Sequence, residues 1–249
     1  MNVDILKQYL DKIQSAPEQS VIREIDSLKW SFKIFAGNYV ELIKLLKFLE
    51  DRPESTKLWD VKRKQDLYRM FEEIGRLLFN YLAAASMLID HTRRCIKKLY
   101  RDQKYLEFSN EYEKEKNRLA DSDTHQIAQG LRNYIQHRNL PAIGSKITYT
   151  PETGLNKAFR ILSQSLLEWD KWSPAARRKL QSMGESFPLR DFVEDYFNQV
   201  DAFYKWLGGK QTELHRVDVE RLNGLKEDAK LAFKQAGMIT ERELKELDN

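Results

Sequence analysis

The sequence predicts a mainly α fold: a bundle of long antiparallel helices, a small β-hairpin near residues 146–162, and further helices toward the C-terminus. Three observations predict it. The 249 residues include only ten glycines and six prolines, too few to turn a chain every 8–12 residues as a β-sandwich or barrel requires. The prolines stand at 17, 53, 141, 151, 174 and 188, so residues 54–140 are free of the strongest helix breaker. Apolar residues recur there at steps of three and four, and their 41% share is enough to fill a core, which excludes disorder throughout.

Taken in order, the opening MNVDILKQYLDKIQ carries charges at Asp4, Lys7, Asp11 and Lys12. It is neither a signal peptide nor a membrane span. Ile25, Leu28, Phe32, Phe35, Tyr39, Leu42, Ile43, Leu46 and Leu49 form one face of a helix of roughly 30 residues beginning near Pro17. Gly37 is a weak point in it, at about 1 kcal/mol relative to Ala. After Pro53, Leu67, Met70, Phe71, Ile74, Leu77, Leu78, Tyr81, Leu82, Ala85 and Leu88 mark a second face. It predicts a helix over about 58–100, on the order of 60 Å long, with a bend or break expected near Asp90. Residues 104–119 read as an exposed helix of alternating charge. DSDTH at 121–125 offers N-cap residues for the next helix, QIAQGLRNYIQHRN, which ends before Pro141.

Gly144, Ser145, Pro151 and Gly154 then punctuate the chain, and ITYTPETGLNKAFRIL reads as a hairpin turning at 151–154. Helices resume at 174–183, opened by Pro174, and at 189–207, where Phe192, Tyr196, Val200, Phe203, Trp206 and Leu207 share a face. Gly208-Gly209 is expected to end that helix. The polar remainder predicts a loosely docked helix, and ERELKELDN a frayed end. Domains are drawn at 1–140 for the bundle and 141–249 for the hairpin and helical extension, packed as one structural whole.

Charge is uneven. Lys plus Arg is 42 against 38 Asp plus Glu, a net +4, yet residues 57–104 carry twelve basic and six acidic side chains, and 105–124 three basic and six acidic. The basic run Arg93, Arg94, Lys97, Lys98, Arg101 and Lys104 suits RNA phosphates or a solvated helix face. The single cysteine, Cys95, excludes an internal disulfide framework and a Cys-rich zinc site, so a reducing, cytoplasmic setting is expected, with no membrane partner. No phosphate-binding glycine loop, zinc-protease, nucleophile-elbow or C-x-x-C motif occurs. Asp121, Asp123 and His125 read as capping and solvated residues before a metal set, and neither metal nor cofactor is expected. Trp59, Trp169, Trp172 and Trp206 read as core or dimer anchors.

The stretch that stands out is Leu131-Arg-Asn-Tyr-Ile-Gln-His-Arg-Asn-Leu-Pro141. In a helix Arg132 and His137 lie about 140° apart and 7.5 Å along the axis, whereas Asn133 and His137 share a face. RNA cleavage through its own 2′-OH needs a base, an acid and a cation for the charged phosphorus. His137 suits proton transfer, Arg132 the phosphate, and Asn133 either orientation of His137 or contact with a phosphate oxygen. Tyr134, Gln136 and Arg138 join Arg93, Arg94, Lys97 and Lys98 as candidate RNA contacts. One imidazole does not serve both proton transfers in one step, so a symmetric dimer would supply the second. An ion pair at Arg132 and a capping His137 remain the structural alternative.

R-N-x-x-x-H near the end of a late helix in an all-α chain resembles the signature of the HEPN superfamily, here Arg132-Asn133 and His137. The longer string LRNYIQHRNLP, the hairpin and the later Leu166-Leu167…Trp172 and Tyr196…Phe203-Tyr204-x-Trp206-Leu207 patterns are similar to an uncharacterised bacterial HEPN-like group. The resemblance implies a HEPN-like bundle over residues 1–140, a homodimer across the motif helix, and metal-independent endoribonuclease activity. It also implies service in toxin–antitoxin or antiviral defence, with an antitoxin or defence-system partner protein. The alternative is a non-catalytic module that binds RNA, a nucleotide or a protein. Asn139 stands where some HEPN toxins carry a Tyr that a partner nucleotidyltransferase modifies, so no such partner is inferred.

Overall fold

The computed structural model describes residues 2–152 and 154–237. Nine α-helices and one three-stranded antiparallel sheet are found among them. They form two compact units, one from the described parts of Met1–Lys29 and Leu207–Asn249, the other Trp30–Trp206. The boundary drawn near residue 140 falls inside the second unit, which holds both the hairpin and the long helices. The expected frayed end, ERELKELDN, lies outside the described residues.

In the first unit, α1 (Asn2–Ser15) packs on α9 (Arg216–Gln235), with Tyr9 and Phe233 edge to face at 6.0 Å. Glu18 pairs with Arg221 at 3.6 Å. Among the described residues no helix is long and apolar enough to cross a membrane.

The second unit is built on the part of α2 (Pro17–Asp51) from Trp30 onward and on α3 (Lys64–Leu99). Pro17 opens α2 as the sequence predicts, because a missing N–H costs nothing in the first turn. Helix α3 departs from expectation in two respects. It starts at Lys64, since residues 53–63 form short 3-10 turns: Asp60 is extended and its carboxylate accepts from the Lys62 N–H at 3.0 Å. It also runs unbroken past Asp90. Its buried stripe explains the continuity, with Ile74, Leu78, Tyr81, Leu82, Ala85, Leu88, Thr92 and Cys95 all buried on consecutive turns.

Between α2, α3 and α8 (Leu189–Leu214) sits an aromatic core. Phe35 stacks on Tyr81 at 5.1 Å and on Phe197 at 5.7 Å, and the Tyr81 hydroxyl donates to the Val193 carbonyl at 3.2 Å. Helix α8 does not stop at Gly208-Gly209. Leu207, Gln211 and His215 are buried at steps of four, and burying that face outweighs the intrinsic penalty of about 1 kcal/mol per glycine.

The hairpin forms as expected, β1 (Ile143–Thr150) against β2 (Gly154–Leu162), with Thr150 facing Gly154. Gly154 has φ +69°, a conformation a side chain would strain. A third strand, β3 (Ser186–Pro188), pairs antiparallel with β2. Three residues are too few to carry a readable alternation, so nothing local marks them as a strand. The buried face of β2 holds Phe159 and Ile161 together with Lys157, only 4% exposed. The Lys157 ammonium is matched by the Arg52 carbonyl at 2.7 Å and by the Ser55 hydroxyl, as a buried cation must be. Glu50 accepts from the Phe159 N–H at 2.9 Å, and Arg190 reaches Glu50 at 3.5 Å and Asp51 at 2.8 Å.

Candidate functional site

The motif helix is α5 (Asp123–His137), entered from α4 (Leu106–Ala120). Ser122 caps it, its hydroxyl accepting from the His125 N–H at 3.1 Å, as the DSDTH string predicts. It ends at His137, with the Arg138 N–H bonded to the Tyr134 carbonyl at 2.8 Å. Ile127, Ala128, Leu131 and Tyr134 are buried and form the core face of the helix, while Ile135 is half-buried and lines the groove described below.

Helix α5 packs on α3. His125, Gln129, Arg132 and Gln136 recur at i, i+4, i+7 and i+11, which places them within about 60° of one another on one stripe. Two cavities lie along that stripe. The lower one, of about 370 Å³, is lined by Arg132, Ile135 and Gln136 from α5 and by Asp90, His91 and Arg94 among others from α3. The Arg132 guanidinium donates to Asn133 Oδ1 at 3.0 Å. Asn133 therefore holds Arg132, and the expected orienting contact to His137 is not the one it makes. Neither Arg94 nor Arg132 has a carboxylate partner among the described ion pairs, while Asp90 is engaged by Arg93 at 3.3 Å. The groove thus presents two guanidinium groups and an imidazole.

His91 is the residue that the sequence reading missed. Its Nδ1 lies 2.5 Å from the Ser31 hydroxyl, which fixes the ring beside the groove. Forty-one residues separate it from Arg132, and only the α3–α5 pairing brings them together. The one signal in the sequence was its place three residues before Arg94, on the same turn of α3.

The other candidates are distributed differently. His137 is exposed at the end of α5 and does not line the groove. With α5 helical at both positions, it lies about 140° around the axis from Arg132. Arg138 is exposed and pairs with Glu168 at 3.6 Å. Arg93 and Lys97 line the upper cavity, on a different face of α3 from Arg94. Lys98 is exposed and lines neither cavity. Tyr134 is corrected outright: it is 5% exposed, set edge-on to Trp169 at 5.6 Å and stacked on Trp172 at 6.3 Å, so its ring offers no face to a base. Trp169 and Trp172 are buried, as the core reading expected.

These two tryptophans fix the motif helix from behind. Trp172 donates to the Leu166 carbonyl at 2.7 Å and lies over Gly130, where an added Cβ would come 2.5 Å from its Cε3 and closer still to Cζ3. The segment before α7 (Pro174–Ser182) can therefore approach α5 only because residue 130 is glycine. Phe79, which lines the groove, and Leu140, three residues past His137, are large apolar side chains left 45% and 47% exposed.

Among the described residues no group of three or more His, Cys, Asp or Glu side chains is placed to hold a metal ion. Asp123 pairs with Lys179 at 3.4 Å, and His125 is turned to the upper cavity. No protein-family model, curated protein or solved structure matches this chain.

Proposed function

We propose that the chain is a metal-independent endoribonuclease of the HEPN type, cutting RNA at a site that two copies complete. The observation that carries this reading is the groove itself: Arg132, held by Asn133, lines it with Arg94, and neither has a carboxylate partner among the described residues, next to a helix end that exposes His137. Two guanidinium forks are suited to the non-bridging oxygens of a phosphodiester, where negative charge grows as the phosphorus becomes pentacovalent. One imidazole takes the proton from the 2′-OH. The 2′-oxygen then attacks phosphorus, the bond to the 5′-oxygen breaks, and a second imidazolium protonates that leaving oxygen. The products are a 2′,3′-cyclic phosphate and a 5′-hydroxyl.

A single chain does not bring His137 to Arg132, because the helix turns them apart. A twofold partner across α5 would set the His137 of one copy toward the groove of the other, and isologous symmetry would make two such sites. Exposed Phe79 and Leu140 supply apolar surface for that contact. Service in toxin–antitoxin or antiviral defence, with a protein partner that restrains the activity, follows from the resemblance of RNxxxH alone.

The test is incubation of a single-stranded RNA in EDTA with wild type, Arg132→Ala and His137→Ala. Cleavage by wild type alone supports the reading. Intact RNA with wild type, or undiminished cutting by either variant, overturns it. A second reading is favoured by the separation of His137 from Arg132 within one chain: a non-catalytic module that holds RNA phosphates at Arg94 and Arg132. Tight binding without cleavage, lost in Arg132→Ala, is its signature.

A further inference from the structure

The upper cavity on the α3–α5 stripe is used by none of the chemistry above. It encloses about 390 Å³ between α3, α4, α5 and α8, within the range of small-molecule sites. Its walls are apolar, including Leu88, Ile96, Val200 and Phe203, and three tyrosines, Tyr112, Tyr196 and Tyr204, add flat aromatic surface. Such a lining takes up an apolar or aromatic body.

Two polar side chains interrupt it on the α5 side. Burial, with Arg93 adding to it, lowers the His125 pKa to about 4, so the ring is neutral at physiological pH. Its Nδ1 is buried with no hydrogen-bond partner among the described atoms. Gln129, the next residue on the stripe, makes only a long contact from Nε2 to the Tyr196 hydroxyl at 3.4 Å. By contrast Thr92 is already satisfied, bonded to the Leu88 carbonyl at 2.7 Å and to the Tyr204 hydroxyl. Unpaired polar groups in an apolar wall are disfavoured unless a ligand completes them. An alkyl chain would leave His125 Nδ1 unpaired and Gln129 with only its long contact. A ring bearing N–H or N: edges would pair them.

The mouth is basic. Arg93, Lys97 and Lys116 line it with one acid, Glu113. Lys116 is engaged by Glu113 and Arg93 by Asp90, whereas Lys97 has no carboxylate partner among the described residues. We infer that this cavity is a binding site for a small planar heteroaromatic anion, its ring seated among the tyrosines with its polar edge toward His125 and Gln129, and its phosphate or carboxylate held at the mouth by Lys97 and Arg93. The site shares no lining residue with the Arg132 groove, so the inference stands whether or not the chain cuts RNA.

Calorimetric titration of the full chain tests it with four probes: adenosine 5′-monophosphate, indole-3-acetate, neutral adenosine and dodecanoate. Saturable one-to-one binding of the first or second is expected, the two distinguishing a phosphate-bearing from a carboxylate-bearing ligand, with adenosine at least tenfold weaker than its monophosphate. Lys97→Gln, an exposed substitution that leaves the core untouched, lowers the affinity of the bound anion at least tenfold, as does Gln129→Leu, while Arg132→Ala leaves it unchanged. Absence of binding by both anionic rings at millimolar concentration overturns the inference. So does equal binding of dodecanoate, or insensitivity to both Lys97→Gln and Gln129→Leu.

Discussion

Glycine 130 tests how the motif helix is held. Replacing a mid-helix glycine by alanine ordinarily stabilises by about 1 kcal/mol. At Gly130 the new methyl would lie 2.5 Å from Trp172 Cε3, and Trp172 has little freedom to yield. Its N–H is bonded to the Leu166 carbonyl at 2.7 Å, and Trp169 stands edge-on to it at 5.5 Å. Overpacking costs about 1–3 kcal/mol, and loss of the indole hydrogen bond about 1 kcal/mol more. Set against the helix gain, Gly130→Ala should destabilise by roughly 1–3 kcal/mol. Gly37, in α2, is the internal control, since nothing lies within 4 Å of its would-be Cβ; Gly37→Ala should stabilise by about 1 kcal/mol. Urea unfolding with the slope held common reads both. If the two substitutions move stability in the same direction, the packing of Trp172 on α5 is wrong.

Four further outcomes follow. Arg190→Ala removes the cation from Glu50, whose carboxyl burial already raises above its usual pKa despite the Phe159 N–H and Arg190; it should cost about 2–3 kcal/mol at pH 7. That deficit should shrink as pH falls toward 4.5, because a raised acid penalises folding only when ionised; a pH-independent deficit in the unfolding free energy would contradict it. His125, with its pKa lowered from 6.5 to about 4, should lose the fold about 3 kcal/mol as pH drops through that window, since the unfolded chain takes up the proton first; His125→Asn should abolish that part of the acid sensitivity in the same titration. Arg94→Gln should weaken RNA binding and lower the slope of log affinity against log salt by about one, while Tyr134→Phe leaves RNA affinity unchanged because the ring is buried; filter binding across a salt series checks both. Light scattering should give twice the mass of one chain, and mixing Arg132→Ala with His137→Ala should restore part of the cleavage that each lacks alone.

Helix existence was legible where periodicity ran long: Pro17 at the head of α2, the stripe of α3 and the Ser122 cap of α5 are all local signals, written within a few residues. What was hidden depended on partners distant in sequence. Gly208-Gly209 reads as a stop, yet buried Leu207, Gln211 and His215 carry α8 through it. Ser186–Pro188 is a strand only because β2 lies beside it. The site shows the same division. RNxxxH pointed to α5 and to Arg132, which lines the groove, but one step of about 100° parts Arg93 from Arg94 and sends them to different cavities. His91 enters the groove through the pairing of two helices. Tyr134 looked like a polar aromatic in a basic string, and the tryptophans that bury it lie 35 and 38 residues away.

The proposed function requires Arg132 and His137 together to cut RNA through its 2′-OH. The most direct measurement is the chemistry of the cut ends, read by mass spectrometry after incubating a defined RNA with the chain in EDTA. The account predicts 2′,3′-cyclic phosphate and 5′-hydroxyl ends with wild type, none with Arg132→Ala or His137→Ala, and no cutting of a strand whose 2′-hydroxyls are replaced by hydrogen. Ends bearing 5′-phosphate, cleavage of the deoxy strand, or identical ends from the variants would contradict it.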